Sequence, residues 1–331
     1  MVQGILDAQA KPAKRRVRRS LPRVAVVGVA AALVLSIGAG AAVAYNKLAS
    51  ESFAGVFGTA HTEIVDKIGR PVGASATAGG VTVTADAIIG DKYHYAITYS
   101  IAKDDGTAFD IDLSKTVGDG LLPLTFGQED SFLAGYMGGE HGGSYFYDAD
   151  PDDNAIQYVT MREISNGEIK HRAVKAKFSD LCVFDEDMNR QVIAEGKWSL
   201  KFDLNFEDAS ASLPAGQTFE LNGMTATIDE ITLSPIALRV DYTVDSELQW
   251  EDAPSGRETD YNAAQSKKYF EDVSIVLTKT DGTTLDLTYA GGSIAPENGK
   301  TVCQKGDLFS EVVPLDEIAS LTVGGIEIPL R

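Results

Sequence analysis

A run of 22 residues with no charge, Val24 to Tyr45, divides this chain into two unequal parts. As a helix rising about 1.5 Å per residue it would be about 33 Å long, enough to cross a hydrocarbon core of about 30 Å. Soluble core helices rarely need so long an apolar run, so the sequence predicts a transmembrane helix over 24–45. Ala42-Val43-Ala44 before Tyr45 also fits a signal-peptidase pattern. The run is well beyond the roughly 7–15 residues of a cleaved leader, however, and an uncleaved anchor is expected. The arm at 1–23 carries Lys11, Lys14, Arg15, Arg16, Arg18, Arg19 and Arg23. Under the positive-inside rule it stays in the cytoplasm, and the bulk of the chain is extracytoplasmic. Lys14, Arg15, Arg16, Arg18 and Arg19 are placed to hold an anionic membrane surface.

Charge follows the same division. Residues 1–50 hold eight basic residues against Asp7, so the other 281 carry −26 of a chain whose net is −19. An exterior this acidic repels phosphate backbones and argues against a nucleic-acid partner. Cys182 and Cys303 are the only cysteines. With no CxxC, zinc ribbons and thioredoxin-like redox motifs are excluded. Outside the membrane the two can pair as a disulfide or stay as buried small hydrophobes.

Beyond the anchor, Phe53, Val56, Phe57, Ala60, Ile64 and Ile68 recur at spacings of three and four. This predicts a juxtamembrane helix within 46–71, weakened by Gly55 and Gly58 and stopped by Gly69-Arg70-Pro71. From Gly80 the period becomes that of strands. Val81–Ile89 and Tyr93–Ile101 flank a Gly90-Asp91 turn, and Trp198 to Phe206 alternates apolar with polar most cleanly. Residues 114–143 hold eight glycines and read as a long loop. Asn222-Gly223 and Asp281-Gly282 are hairpin signals. A short helix is expected at Tyr261–Phe270. Small and polar residues at 209–216 read as a linker between domains at 72–208 and 217–331.

The segment from Gly80 to Ile101 aligns without gaps on Gly223 to Val244. Six positions are identical, including Asp86/Asp229 and Tyr99/Tyr242. The expected fold is therefore mainly β: an N-terminal transmembrane helix followed by two immunoglobulin-like β-sandwich domains of related topology.

The basic arm and single anchor, the Phe53-Ala-Gly-Val-Phe57-Gly58 stretch, the Val81–Ile101 strand pair and Ile231-Thr-Leu-Ser-Pro235 together resemble a bacterial family. Its members are single-pass membrane proteins with an uncharacterised extracytoplasmic domain, often encoded beside extracytoplasmic-function sigma factors and labelled anti-sigma-factor-related. The resemblance implies a membrane-anchored binding or sensing protein linked to envelope regulation. Sigma-binding members carry a longer cytoplasmic domain, sometimes with a His/Cys zinc cluster. Residues 1–23 here contain neither His nor Cys, so a regulatory role needs a cytoplasmic partner. The alternative is a non-regulatory adhesion or wall-contacting protein.

Candidate chemistry is sparse. Asp148, Asp150 and Asp152 put carboxylates at alternate positions, as a calcium loop would, but the sixth and twelfth places hold Asp153 and Val159 instead of Gly and Glu. A solvated acidic hairpin tip is the default, calcium the alternative, and no other cofactor is indicated. Tyr136, Tyr145 and Tyr147 could present an aromatic surface to a wall glycan or an envelope protein; core packing is the competing reading. The four histidines are scattered, with no HExxH or GxSxG context. An enzyme is not expected.

Overall fold

The computed structural model describes residues 48–111, 120–151, 153–185, 189–252 and 258–330. The basic arm and the predicted anchor lie outside these residues. Among the described residues no helix is long and apolar enough to cross a membrane.

The described chain opens with two short helices, α1 (Ala49–Phe57) and α2 (Thr62–Ile68). Gly58 at φ 76° and His61 at φ 54° break what the periodicity suggested as one helix. Ser50 ties the pair together, its backbone N–H donating to Asp66 Oδ1 at 2.8 Å.

The first unit contains two antiparallel sheets. One has the order β1 (Arg70–Ala78), β2 (Val81–Gly90), β3 (His94–Lys103), β6 (Ala155–Ile164), β5 (Glu140–Tyr147); the other is β4 (Leu124–Leu133), β7 (Arg172–Phe184), β8 (Arg190–Leu204). Their inner faces share one core, in which Tyr99 and Tyr158 meet Phe178 and Phe126 from the opposite sheet. Trp198 is 1 % exposed, and its indole N–H donates to Val81 O at 2.9 Å, closing the sandwich with a satisfied donor. Alternation on β8 is as read: Trp198, Leu200, Phe202 and Leu204 point in while Ser199, Lys201 and Asp203 point out.

The second unit follows the same plan. β10 (Thr218–Leu221), β11 (Met224–Leu233), β12 (Ala237–Val244), β16 (Lys300–Leu308) and β15 (Gly291–Glu297) form one sheet, with β9 (Ala211–Ser212) added against β11. β14 (Thr284–Asp286), β13 (Ile275–Lys279), β17 (Ile318–Val323) and β18 (Ile326–Pro329) form the other. Asn222 and Gly223, at φ 51° and 79°, make the expected tight turn between β10 and β11. α3 (Asp260–Ser266) runs into one π turn, Lys267–Glu271, where a helix was expected.

The chain is thus mainly β, with several antiparallel sheets. Two expectations need correction. The supposed loop over 114–143 contains β4 and the start of β5; residues 112–119 lie outside the described set. The middle of β4, Gly127 to Asp130, is exposed on both faces, so it shows no alternation to read. The supposed linker at 209–216 is pinned, with β9 paired to β11, Leu213 N–H donating to Ile231 O at 3.0 Å and Gly216 N–H to Ile228 O at 2.8 Å.

A third apolar cluster joins the two units. Phe53, Val56 and Phe57 of α1 with Val65 and Ile68 of α2 pack on the outer face of the first sheet, at Ala87, Ile89, Ala96 and Val159. Ile236, Ala237 and Val312 of the second unit complete it. The helices after the predicted anchor therefore share one buried apolar cluster with both units.

Candidate functional site at the joint between the two units

The site begins with a turn. Asp91 follows β2, and its Oδ1 accepts the backbone N–H groups of Tyr93 at 2.9 Å and His94 at 2.7 Å. Its own N–H donates to His94 O at 2.8 Å. Ser234, at the matching place in the internal repeat, closes the same turn between β11 and β12. Its N–H donates to Ala237 O at 2.9 Å, and its Oγ accepts from Ala237 N at 3.0 Å. The two matching turns touch tip to tip, with Ser234 Oγ donating to Asp91 Oδ2 at 2.7 Å.

Around this contact lies a chain of alternating charges. His94, 2 % exposed, places Nδ1 3.1 Å from Asp91 Oδ1 and Nε2 3.8 Å from Glu163 Oε2. His141 Nε2 lies 2.9 Å from the same Glu163 oxygen. Arg239 of the second unit sets Nη1 3.7 Å from Glu163 Oε1 and donates to Ile164 O at 2.8 Å. Its other edge grips Asp241 at 2.7 and 3.1 Å, and its guanidinium lies 4.0 Å over the Tyr93 ring. Lys92 Nζ and Tyr93 OH both donate to Glu230 Oε1, at 2.8 and 3.1 Å.

These contacts fix the charges. Burial opposes ionisation of both Asp91 and His94, but their mutual attraction, helped by Ser234 and the Tyr93 N–H at Asp91 and by Glu163 at His94, more than offsets it. The Asp91 carboxyl is held below its ordinary range and the His94 imidazole above its own. The Glu230 carboxylate likewise keeps Lys92 protonated, and Lys92 holds Glu230 low. Burial raises Asp241, with Arg239 opposing the rise. Among the described residues His94 Nε2 and Glu163 Oε1 have no hydrogen-bond partner, so the network is incompletely bonded.

Ser165, His141 and Glu163 also stand in hydroxyl–imidazole–carboxylate order, with Ser165 Oγ 3.5 Å from His141 Nδ1. The first distance is at the outer limit of a hydrogen bond, and the Glu163 carboxylate is shared with His94 and Arg239. Two surface hollows are lined by other residues, one by Phe109, Ile111 and Asp148, the other by Ile169, His171 and Phe206. The arrangement serves to hold two units together.

The residues singled out from sequence are not brought together. Asp148 Oδ1 accepts from Asp150 N at 3.1 Å and Asp153 Oδ1 from Ala155 N at 2.7 Å, so these carboxylates brace their own hairpin tip. Asp152 lies outside the described residues. Among the described residues no group of three His, Cys, Asp or Glu side chains stands ready for a metal ion. Tyr147 is buried in the third cluster and Tyr145 is packed beside it, with ring centres 5.9 Å apart. Tyr136 lies elsewhere, its OH 2.8 Å from Asn166 O and its ring under Arg172. The three tyrosines do not form one surface. Cys182, on β7 of the first unit, and Cys303, in the core of the second, are both buried and free, so of the two readings left open by the sequence the structure shows the unpaired one. Lys14, Arg15, Arg16, Arg18 and Arg19 lie outside the described residues.

Sequence reasoning found the Gly90-Asp91 turn and the repeat, but not the joint. Asp91 and His94 share one turn, but Glu163 and Arg239 are far from them along the chain, and the four belong to no motif. The available signal was the pairing of Asp91 with Ser234 at one repeat offset.

No family of known proteins matches this chain, and no curated protein matches it. Among solved structures it is similar to a conserved domain protein from Bacillus anthracis, at 13 % identity and a TM-score of 0.47, over 75 % of this chain and 74 % of the other.

Proposed function

We propose that the protein is a membrane-anchored extracytoplasmic binding and sensing module: a basic cytoplasmic arm, one span over 24–45, and two immunoglobulin-like sandwiches outside. In this reading it belongs to sigma-factor-linked envelope regulation, acting through a cytoplasmic partner. The observation that carries it is the third apolar cluster. α1 begins four residues after the apolar run, and its Phe53 and Phe57 lie in one apolar cluster with Ala87 and Ile89 of the first unit and Ile236 and Val312 of the second. A ligand that changes the angle between the units must disturb these contacts, and with them the helix next to the bilayer. An anchor serving only for attachment would need no such cluster.

Two measurements test this. Cysteines placed at the exposed positions Glu195 and Glu297 should react with a membrane-impermeant maleimide on intact cells, and protection of both removes the topology. Transcript profiling of a deletion strain should show a changed sigma-controlled set. An unchanged profile removes the regulatory role and leaves the adhesive one.

A further inference from the structure

We propose that the joint between the units is a proton-operated hinge, closed while His94 carries its proton and loosened when that proton leaves. It supplies the sensing reading with a stimulus, but its geometry stands independently of membrane topology. His94 is 2 % exposed and lies between two carboxylates, Asp91 at 3.1 Å and Glu163 at 3.8 Å. The second unit grips both of those carboxylates. Ser234 holds Asp91 Oδ2 at 2.7 Å, and Arg239 stands 3.7 Å from Glu163 Oε1. The imidazolium therefore stabilises both anions on which closure depends.

The surroundings sharpen the dependence. From the first unit, His141 on β5 touches Glu163, while Lys92 and Tyr93 are committed to Glu230 of β11. From the second, Arg239 divides its charge between Glu163 and Asp241. Asp307 on β16 adds a further negative group within range of His94, Glu163 and His141. Once His94 is neutral, Arg239 alone faces several carboxylates in a poorly hydrated joint, and a buried anion without a close cation is costly. Opening to water relieves that cost, and it draws Ile236 and Ala237 out of the apolar cluster they share with α1.

The sign follows from linkage. His94 titrates above its ordinary value of 6.5 in the closed form. Its contribution is complete below pH 6.5 and is lost as pH rises through the closed-state value. Asp91 is held below its ordinary 3.8, so its contribution is present above that value and fails only in stronger acid. The joint is closed at weakly acidic pH and loosens as pH rises through the closed-state value of His94.

The experiment uses the full chain in lipid nanodiscs with a chelator present. Donor and acceptor dyes are attached at Glu195→Cys and Glu297→Cys, both exposed, while the native cysteines are buried. Between pH 5 and 9 the transfer efficiency should change in one single-proton step with its midpoint above 6.5. His94→Gln should abolish the step while the strand signal in circular dichroism is retained. Glu163→Gln, which removes one of the two anions, should move the midpoint down by at least half a pH unit. A flat profile in the wild-type chain overturns the proposal, as does an unchanged step in His94→Gln. Should His94→Gln lose its strand signal, an unmoved midpoint in Glu163→Gln overturns it instead. Failure of the maleimide topology test would remove the membrane reading and leave this titration intact.

Discussion

Lys305 has no exposed surface, yet its ammonium is fully bonded, donating to the carbonyls of Phe270, Glu271 and Val273 at 2.8, 3.2 and 3.0 Å. It caps the end of the π turn that follows α3, where the last carbonyls lack helical partners. Burial nonetheless pushes it down from 10.5 to about 8. The folded chain then releases this proton before the unfolded chain does, so between about pH 8 and 10.5 the unfolded state binds more protons and stability rises with pH. The gain across that span is at most about 3 kcal/mol. Urea midpoints at pH 7.5 and 9.5 should show the rise in the wild-type chain and its absence in Lys305→Met; an equal rise in both would refute the assignment. The cysteines give a second residue-scale prediction. Burial raises both thiols, Cys303 to about 12. Ellman's reagent should therefore find no reactive thiol in the native chain and two in urea. Fast reaction of either in the native state would contradict the burial.

Among the elements, α1 and the repeated hairpin are the informative ones. Phe53 is 1 % exposed in the cluster that joins α1 to both units, so Phe53→Ala should cost about 3–5 kcal/mol in urea unfolding. A loss below about 1 kcal/mol would mean that α1 is not packed as described. The repeat extends further than its six identities suggest. β2–β3 and β11–β12 carry the same register shift at matching positions, Asp86 and Asp229. Each aspartate accepts a hydroxyl from the facing strand, Ser100 in one case and Thr243 in the other. Bulges are specified by what fills them, which accounts for aspartate at both places. β4 shows the opposite case. Its pairing with β7 runs from Leu124 to Leu133, but glycine and acidic residues at its centre face solvent on both sides, so backbone bonding without side-chain alternation supports it.

At the scale of the whole molecule, the joint decides how the two units move. Ser234→Ala removes the hydroxyl that crosses to Asp91, leaving a buried carboxylate one donor short at a cost of about 1–3 kcal/mol. Proteases should spare 209–216 in the wild-type chain, because β9 and its neighbouring bonds hold that stretch against β11. Cutting there should rise several-fold in Ser234→Ala if loosening the joint frees the connection. Equal cutting in both chains would show that the connection is held by β9 alone.

The sequence by itself determined the strand character, the tight turns at Asn222 and Asp281, the alternating face of β8 and the kinship of the two hairpins. Each is written in neighbouring residues through periods of two or through turn chemistry. Local pattern also found the apolar face of α1, but not what covers it. Only the tertiary structure decided that α1 and α2 share one apolar cluster with both units, that Tyr147 is buried against α1, and that the two cysteines stay apart and unpaired. It alone placed Asp91, His94, Glu163 and Arg239 together. The physical reason is that burial and charge pairing depend on distance through space. A histidine reads the same in sequence whether it ends up in water or between two carboxylates, and that placement follows only once both units have folded and docked.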